Sequence, residues 1–294
     1  MSVPPPDHQR SQHPLEREPR PASPPPSGSS GGRQRVTLII PSVRPVVTYI
    51  ILAINISIFI LRAFSPALDL SLLQFGANNQ IDVLFNGEAY RLVTSMFLHA
   101  SIHGPEGTYI LQNALHLIFN CSIIYYAGTS LERLFGHGRY LSVYLLGGVT
   151  GSILSVILGG PNAYSVGASG AVFAILGAEF IYLYHHRRLL GAGGRERMKS
   201  LIILALINLA FGFFTGLSEG GLRIDNAAHL GGLVGGLILA WFISPIYIPR
   251  PDPKRPNVLV ADDINPLRMK IWVLSVYGAA LLMILLIARQ SLAI

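Results

Sequence analysis

Long runs of hydrophobic residues, separated by shorter polar segments, are the main pattern along this 294-residue chain. A bilayer core of roughly 30 Å needs about 20 mostly apolar residues in a helix. Runs that approach this length are bounded by proline, glycine or charged residues, as helix ends usually are. The pattern predicts seven spans, at residues 46–64, 109–128, 140–158, 168–185, 200–216, 226–246 and 271–288.

These spans predict an all-α membrane protein with four parts. A six-span core covers residues 41–248, a basic linker on the cytoplasmic side covers 249–270, and a seventh transmembrane helix covers 271–294. Residues 1–40 are predicted to form a disordered cytoplasmic tail, because nine prolines occur among the first 30 residues together with many Ser, Gln and Arg. This tail lacks the apolar centre of a signal peptide.

The composition agrees with a polytopic membrane protein. Hydrophobic residues make up 51% of the chain, charged residues 13%, and the mean hydropathy is +0.48, so the chain has too few charges to cover a soluble globule of this size. The formal charge of +7 does not indicate a nucleic-acid partner, because the basic residues lie between hydrophobic runs. The single cysteine, Cys121, excludes an internal disulfide and a metal–thiolate cluster.

The distribution of Lys and Arg predicts the orientation. The outer loops contain Arg91 and Arg223. The inner segments contain Arg33, Arg35, Arg44, Arg133, Arg139, Arg187, Arg188, Arg195, Arg197, Lys199, Arg250, Lys254, Arg255, Arg268 and Lys270. This asymmetry predicts a cytoplasmic N-terminus and an outer C-terminus. With a compact core and no organelle-targeting sequence, we expect a prokaryotic plasma membrane.

The long outer segment at residues 65–108 contains apolar and aromatic residues such as Leu84, Phe85, Tyr90 and Phe97. A free linker is usually more polar. We therefore expect this segment to pack at the membrane surface.

Four polar side chains near the outer ends of spans require an explanation. Ser169 opens the fourth span, and His229 lies early in the sixth. Both spans start outside, so the two residues have similar depths on the same side of the membrane. His116 and Asn120 are four residues apart on one face of the second helix, which also starts outside. We expect all four to converge on one cavity.

Small residues predict which helices approach each other most closely. Small side chains at every fourth position let two backbones pack tightly in lipid. Such ridges occur on the fourth and sixth spans, at Gly170, Ala174 and Ala178 and at Ala228, Gly232 and Gly236. We therefore predict contact between the helix that carries Ser169 and the helix that carries His229.

This arrangement suggests nucleophilic chemistry. A serine hydroxyl is a weak nucleophile until a nearby base removes its proton, and histidine is the usual base. His229 is the plausible partner of Ser169. The lysines are excluded because Lys199, Lys254 and Lys270 lie in inner segments.

An oxyanion that develops during such a reaction needs hydrogen-bond donors. The Ser169 backbone N–H at a helix N-terminus and the side chains of His116 and Asn120 are candidates. Asp225 lies one helical turn before His229 and is a candidate to orient it, although a solvated acid in the outer loop is the simpler interpretation.

Six short motifs follow one another along the chain. They are GEAYRL at 87–92, TSMFLHAS at 94–101, HLIFN at 116–120, LERLFG at 131–136, GASG at 167–170 and AHLGG at 228–232. Any one of them is weak, but in this order and spacing they resemble the rhomboid family of intramembrane serine proteases. The resemblance covers residues 46–246.

The resemblance implies a fold and a set of roles. The fold is a six-helix rhomboid-like transmembrane bundle, here with one C-terminal transmembrane helix added. Ser169 is then the nucleophile, His229 the general base and later acid, and His116 and Asn120 line the oxyanion hole. Phe173 falls where the family carries an aromatic that packs on the catalytic imidazole. The expected activity is cleavage of transmembrane or membrane-anchored proteins near the outer face through an acyl-enzyme, without a cofactor.

Each residue also has a structural interpretation. Ser169 is a suitable helix N-cap, His229 a suitable interhelical hydrogen-bonder, and His116 with Asn120 suitable polar contacts between helices. His99 and His103 hint at a metal, but the chain has no HExxH motif and a structural role is expected for His99.

Two other functions are compatible with the pattern. One is a non-proteolytic, rhomboid-like pseudoenzyme that binds transmembrane helices, although such relatives typically lack the serine or the histidine. The other is a transporter, which inverted repeats would favour and for which none is found. Glu179, near mid-membrane, has no assigned role and is expected to be protonated, paired or near the inner boundary.

Overall fold

The computed structural model describes residues 37–104, 108–216 and 224–293. Within these ranges six helices are long and apolar enough to cross a membrane, and the helix Ser169–His185 is apolar but shorter. Together they match the predicted spans, so the predicted all-α membrane architecture is confirmed. Residues 1–36 of the predicted tail lie outside the described residues.

The helices and strands are named in chain order. The helices are α1 (Val46–Ala63), α2 (Pro66–Gly76), α3 (Gln80–Leu84), α4 (Arg91–Thr94), α5 (Leu111–Ile123), α6 (Thr129–Phe135), α7 (His137–Gly159), α8 (Ser169–His185), α9 (Arg187–Gly216), α10 (Asn226–Ile243) and α11 (Ile271–Ser291). The strands are β1 (Thr37–Ile39), β2 (Asn78–Asn79), β3 (Tyr164–Ser165), β4 (Tyr247–Pro251) and β5 (Val258–Asp263).

The second spanning helix is longer than predicted. Its predicted end at residue 128 is wrong, because a π-helical turn at Ile124–Gly128 carries α5 directly into α6. Gly128 serves close packing here: a Cβ on it would lie 2.6 Å from the hydroxyl of Tyr140. The glycine that suggested a helix end is therefore a contact point between helices.

The fifth spanning helix also starts earlier than predicted. Helix α9 begins at Arg187, and the basic residues before position 200 belong to it. Gly191, with φ 55° and ψ −132°, interrupts the helical geometry near its start. The predicted inner loop is therefore mostly a helical extension with one glycine kink.

The centre of the bundle consists of α7, α8 and α10, which approach one another through small residues. A Cβ on Gly232 would lie 1.9 Å from the carbonyl oxygen of Gly170, and a Cβ on Gly236 would lie 2.1 Å from that of Ala174. Neither space admits a side chain. The predicted contact between the helices of Ser169 and His229 is therefore confirmed, and the two backbones lie closer than larger residues permit.

The segment between α1 and α5 is folded and fixed to the bundle. Strand β2 pairs antiparallel with β3, just before α8. The side-chain amide of Asn78 donates to the Ser152 carbonyl (2.9 Å), and that of Gln80 donates to the Val156 carbonyl (2.8 Å). Leu84 is buried, whereas Tyr90 remains 42% exposed. These bonds hold the loop that leads into Ser169.

A three-stranded sheet corrects one prediction. Strand β5 pairs in parallel with β1 and antiparallel with β4. The last residues of the predicted disordered tail are therefore strand, and most of the predicted basic linker forms a hairpin. The sheet lies at the end of α8 opposite Ser169, because the Tyr247 N–H donates to Nε2 of His186 (3.1 Å). We refer to these two ends as the sheet end and the serine end.

Glu179, which had no assigned role, is paired. Arg197 on α9 donates from Nε and Nη2 to its two carboxylate oxygens at 2.7 and 3.1 Å. The carboxylate is buried and the arginine is half-exposed. The pair links α8 to α9 towards the sheet end.

Candidate active site

One cavity of about 620 Å³ lies between α5, α8, α9 and α10. Its polar lining includes His116 and Asn120 from α5, Ser169 from α8 and His229 from α10. The remaining walls are apolar except for Asn208 on α9. The structure therefore brings together the four polar residues that the sequence singled out.

Ser169 is the first residue of α8 and is not its N-cap. The N-cap is Ala168, with φ −71° and ψ −4°. The hydroxyl of Ser169 makes no hydrogen bond with the described residues, so helix capping does not explain this serine. Before it, Gly167 adopts φ +135° and its N–H donates to the Ser95 carbonyl at 2.9 Å. This geometry favours glycine and presents Ser169 at the positive end of a helix.

His229 lies in the first turns of α10 with its side chain buried. The ring of Phe173 stacks on it, with centroids 4.3 Å apart and planes inclined by 14°. Neither ring nitrogen has a hydrogen-bond partner among the described residues. Interhelical hydrogen bonding therefore does not explain this histidine, and both nitrogens remain available for a proton or a substrate.

No hydrogen bond joins Ser169 to His229 within the described part of the chain, although both side chains line the same cavity. Such bonds are often long in ligand-free sites and shorten when substrate binds.

Asp225 makes no hydrogen bond to the imidazole of His229. It is the N-cap of α10, where Oδ1 accepts from the Ala228 N–H at 2.9 Å, and Oδ2 accepts a hydrogen bond from the Ser155 hydroxyl. The residue is half-buried, so the interpretation as a solvated loop acid is also wrong. Both oxygens hold the start of the helix that carries His229.

His116 and Ser169 border the same small space. A Cβ on Gly167 would lie 3.1 Å from Cε1 of His116 and 3.8 Å from Oγ of Ser169. Asn120, one turn further along α5, is 3% exposed. A substrate carbonyl beside Ser169 would therefore have the imidazole of His116 next to it.

His99 lies next to both His116 and Asn120. Its ring packs edge-on against His116, with centroids 5.6 Å apart and planes at 61°, and its Nε2 lies 3.5 Å from Nδ2 of Asn120. The His99 carbonyl accepts from Arg62 at 2.6 Å. Burial, followed by the nearby His116 and Arg62, lowers the pKa of His99 to about 3. The imidazole thus supports the site as a neutral ring.

His103 is fixed elsewhere. Its Nε2 donates to the Arg62 carbonyl at 3.0 Å. His103 therefore makes a local structural contact in the outer segment, and His99 makes its contact with His116.

Asn208 was not singled out from the sequence. It lies on α9 and lines the same cavity. A polar residue in the middle of a predicted span was the available signal, because such residues are costly in lipid and tend to face a cavity.

The cavity holds the groups that acyl transfer needs. They are a hydroxyl at a helix N-terminus, an imidazole with free nitrogens, and candidate donors for a developing negative charge. The apolar walls fit an uncharged membrane segment better than a polar metabolite.

Comparison with known proteins places the chain in a family. The Rhomboid domain model matches residues 86–246. The chain is 34% identical over 211 residues to Rhomboid protease GluP of Bacillus subtilis, covering 71% of this chain and 37% of that protein. It is 32% identical over 161 residues to RHOMBOID-like protein 7 of Arabidopsis thaliana, covering 55% and 45%.

A third relative is named differently. Inactive rhomboid protein 1 of Rattus norvegicus is 34% identical over 156 residues, covering 53% of this chain and 16% of that protein. The chain thus spans less than half the length of each of these three relatives. Since a domain match over more than half of the chain accompanies the predicted fold, the chain belongs to the rhomboid family, which includes intramembrane serine proteases.

Proposed function

We propose that the protein is an intramembrane serine endopeptidase that cleaves transmembrane or membrane-anchored proteins near the outer face of the membrane. The observation that carries the proposal is the shared cavity, where Ser169 and His229 lie beside His116 and Asn120. The two reactive side chains come from helices that are held together by glycine contacts. This close packing keeps serine and histidine at one fixed depth.

The reaction would follow the serine-hydrolase sequence. Nε2 or Nδ1 of His229 takes the proton of the Ser169 hydroxyl as Oγ attacks the scissile carbonyl carbon. The resulting oxyanion accepts hydrogen bonds from the Ser169 backbone N–H and from the side chains of His116 and Asn120. His229 then donates its proton to the leaving amine nitrogen, and the C–N bond breaks to leave an acyl-enzyme.

Water completes the cycle. His229 takes a proton from a water molecule, whose oxygen attacks the acyl carbon. As the C–O bond to Ser169 breaks in the second tetrahedral intermediate, His229 returns this proton to Oγ, which releases the acid product and restores the serine hydroxyl. Water has to reach this point from the serine end of the bundle, where the polar lining of the cavity is concentrated.

The substrate has to unwind before it is cut. A carbonyl inside a helix is already hydrogen-bonded and shielded, so a segment with weak helix propensity gives easier access. We expect small residues at the cut and weak helix formers after it.

We further infer the orientation from charge. Arg139, Arg187 and Arg250 lie at the sheet end, consistent with a cytoplasmic sheet, a cytoplasmic N-terminus and an outer C-terminus. The serine end then faces outward, and a prokaryotic plasma membrane suits this topology.

The test is cleavage of a purified single-span reporter in liposomes. Wild type is expected to cut it, and Ser169→Ala and His229→Ala are each expected to lose essentially all activity while remaining folded. A wild type that leaves the reporter whole, or cleavage that survives both substitutions, would overturn the proposal.

The same samples distinguish a pseudoenzyme, for which the inactive relative is a precedent. A protein that binds the reporter tightly but never cuts it would be a non-proteolytic binder of transmembrane helices. The serine and histidine, both present and unengaged in the cavity, support catalysis instead.

A further inference from the structure

Helix α9 contributes one face to the cavity, through Leu204, Ile207, Asn208 and Phe211. Their spacing of three and four residues is that of a single helical stripe. Ile207 and Phe211 are 61% and 58% exposed, so this wall is only partly covered by other protein atoms. A membrane segment that enters the cavity would therefore touch this stripe.

Asn208 is the polar member of the stripe. Its Nδ2 donates to the carbonyl of Leu204 at 2.8 Å, one turn earlier on the same helix. Its Oδ1 accepts no hydrogen bond from any residue that the structure describes. The side chain is thus fixed by its amide nitrogen, while its oxygen is left for another donor.

Asn208 is only partly buried, so its amide oxygen is open to a donor from a segment that enters the cavity. A lipid-facing helix position would normally be apolar, and polar residues inside spans usually face a cavity or a partner. The mechanism proposed above uses Ser169, His116, Asn120 and His229. It assigns no role to Asn208.

The chemistry of an unwound substrate suggests a role for Asn208. When a membrane helix unwinds, its backbone N–H and C=O groups lose their partners within the helix, and apolar cavity walls offer no replacement. The oxyanion donors satisfy one carbonyl. A freed N–H needs an acceptor, and Oδ1 of Asn208, on the α9 wall of the same cavity, is not used by any described donor.

We propose that Asn208 is a substrate-binding residue whose Oδ1 accepts a main-chain N–H of the unwound substrate segment, a few residues from the cleaved bond. This inference rests on the proposed protease function. It also predicts a specificity rule. A substrate residue at the matching position must carry an N–H, so proline is disfavoured there.

The test uses single-span reporters in liposomes in which one backbone amide at a time is replaced by an ester. An ester removes a single N–H and keeps the side chain, and the cleaved bond stays an amide throughout. For wild type we expect one ester position to lower kcat/KM about 10-fold, the size of one net hydrogen bond.

The variants then locate the acceptor. Asn208→Leu is expected to cut the all-amide reporter about 10-fold more slowly and to lose the effect of that ester. Asn208→Ser, whose side chain is too short to reach, is expected to behave in the same way. Asn208→Asp keeps an acceptor oxygen and is expected to retain the ester effect. Ile203→Leu, at an exposed position on the same helix, is the control and should match wild type.

The outcomes separate the two proposals. A wild type that leaves the all-amide reporter whole overturns the protease function and this inference with it. If wild type cleaves the all-amide reporter, but each ester changes kcat/KM by the same factor in wild type, Asn208→Leu and Asn208→Ser, the role of Asn208 is overturned and the protease function is not.

Discussion

Phe173 lies flat against His229, with 4.3 Å between ring centroids and 14° between ring planes. Asp225 bonds Ala228 and Ser155, and in the part of the chain that the structure describes neither nitrogen of the imidazole has a hydrogen-bond partner. The aromatic contact therefore fixes the plane of the ring, which a hydrogen bond from an acid does in a Ser-His-Asp site.

Replacing Phe173 with leucine removes this contact while keeping an apolar side chain of moderate size. A stacked pair contributes about 0.5–1.5 kcal/mol beyond area burial, so kcat/KM on a single-span reporter should fall roughly 3- to 10-fold. Phe173→Tyr keeps the ring and should stay near wild type. Equal rates for wild type and Phe173→Leu would show that the stack does not position the base.

Asn120→Ala tests the oxyanion site. Loss of one donor usually lowers kcat about 10²- to 10³-fold. The matched control is Asn113→Ala on the same helix, whose amide donates to the Ser101 carbonyl and does not line the cavity. A kcat for Asn120→Ala no lower than that of the control would make Asn120 a polar contact between helices only.

Gly232→Ala tests the central packing. A methyl group there would lie 1.9 Å from the Gly170 carbonyl oxygen, so α8 and α10 must separate, and overpacking of this kind costs about 1–3 kcal/mol. Thermal unfolding in detergent should show a clear fall in Tm.

Gly278→Ala is the control for this packing test. It lies within α11, where a Cβ would meet nothing within 4 Å. Alanine is favoured over glycine in a helix by about 1 kcal/mol, so Tm should hold or rise slightly. Similar effects of the two substitutions would contradict a packing role for Gly232.

Arg197→Leu tests the pair that links α8 and α9. It leaves the buried carboxylate of Glu179 without its partner, which costs roughly 3–5 kcal/mol in a fully buried pair and less here because the arginine is half-exposed. The double variant Arg197→Leu with Glu179→Gln should recover much of the lost Tm. A double variant less stable than Arg197→Leu alone would contradict this account.

The stability of the protein should depend on pH through His99. Burial lowers its pKa from 6.5 to about 3 in the folded state, so between these values the unfolded chain binds a proton that the folded chain does not. The contribution of His99 to the free energy of unfolding is therefore greatest above pH 6.5 and falls as the pH drops towards 3, by up to about 1.4 kcal/mol per pH unit.

The measurement is denaturant or thermal unfolding in detergent at pH 7, 6, 5 and 4, for wild type and His99→Gln. Glutamine does not titrate, so the variant should lose stability less steeply as the pH falls. Parallel pH profiles would show that His99 is not the group responsible.

Local sequence information was enough to predict that four candidate residues, His116, Asn120, Ser169 and His229, line one cavity. Span order puts Ser169 and His229 on the same side of the membrane, and the small residues on α8 and α10 predict their contact. These inferences need only helical periodicity and hydropathy, and both can be read from the residues of a single span.

The remaining features depend on contacts that no local pattern shows. Thr37 pairs with Val258, far along the chain, and neither segment has a distinctive strand pattern. Gly128 resembles a helix end because glycine both stops helices and permits close packing. Asn208 lies in the middle of a predicted span, which was a usable signal, but the sequence alone does not show which cavity that face of the helix lines.

The position of β5 between β1 and β4 determines how the chain can be shortened. Cutting after residue 250 would remove the seventh helix and also the middle strand, leaving both outer strands without their hydrogen-bond partners at the sheet end. A truncation that keeps residues up to 270 would preserve the sheet. Loss of function in the shorter form would therefore say little about the seventh helix itself.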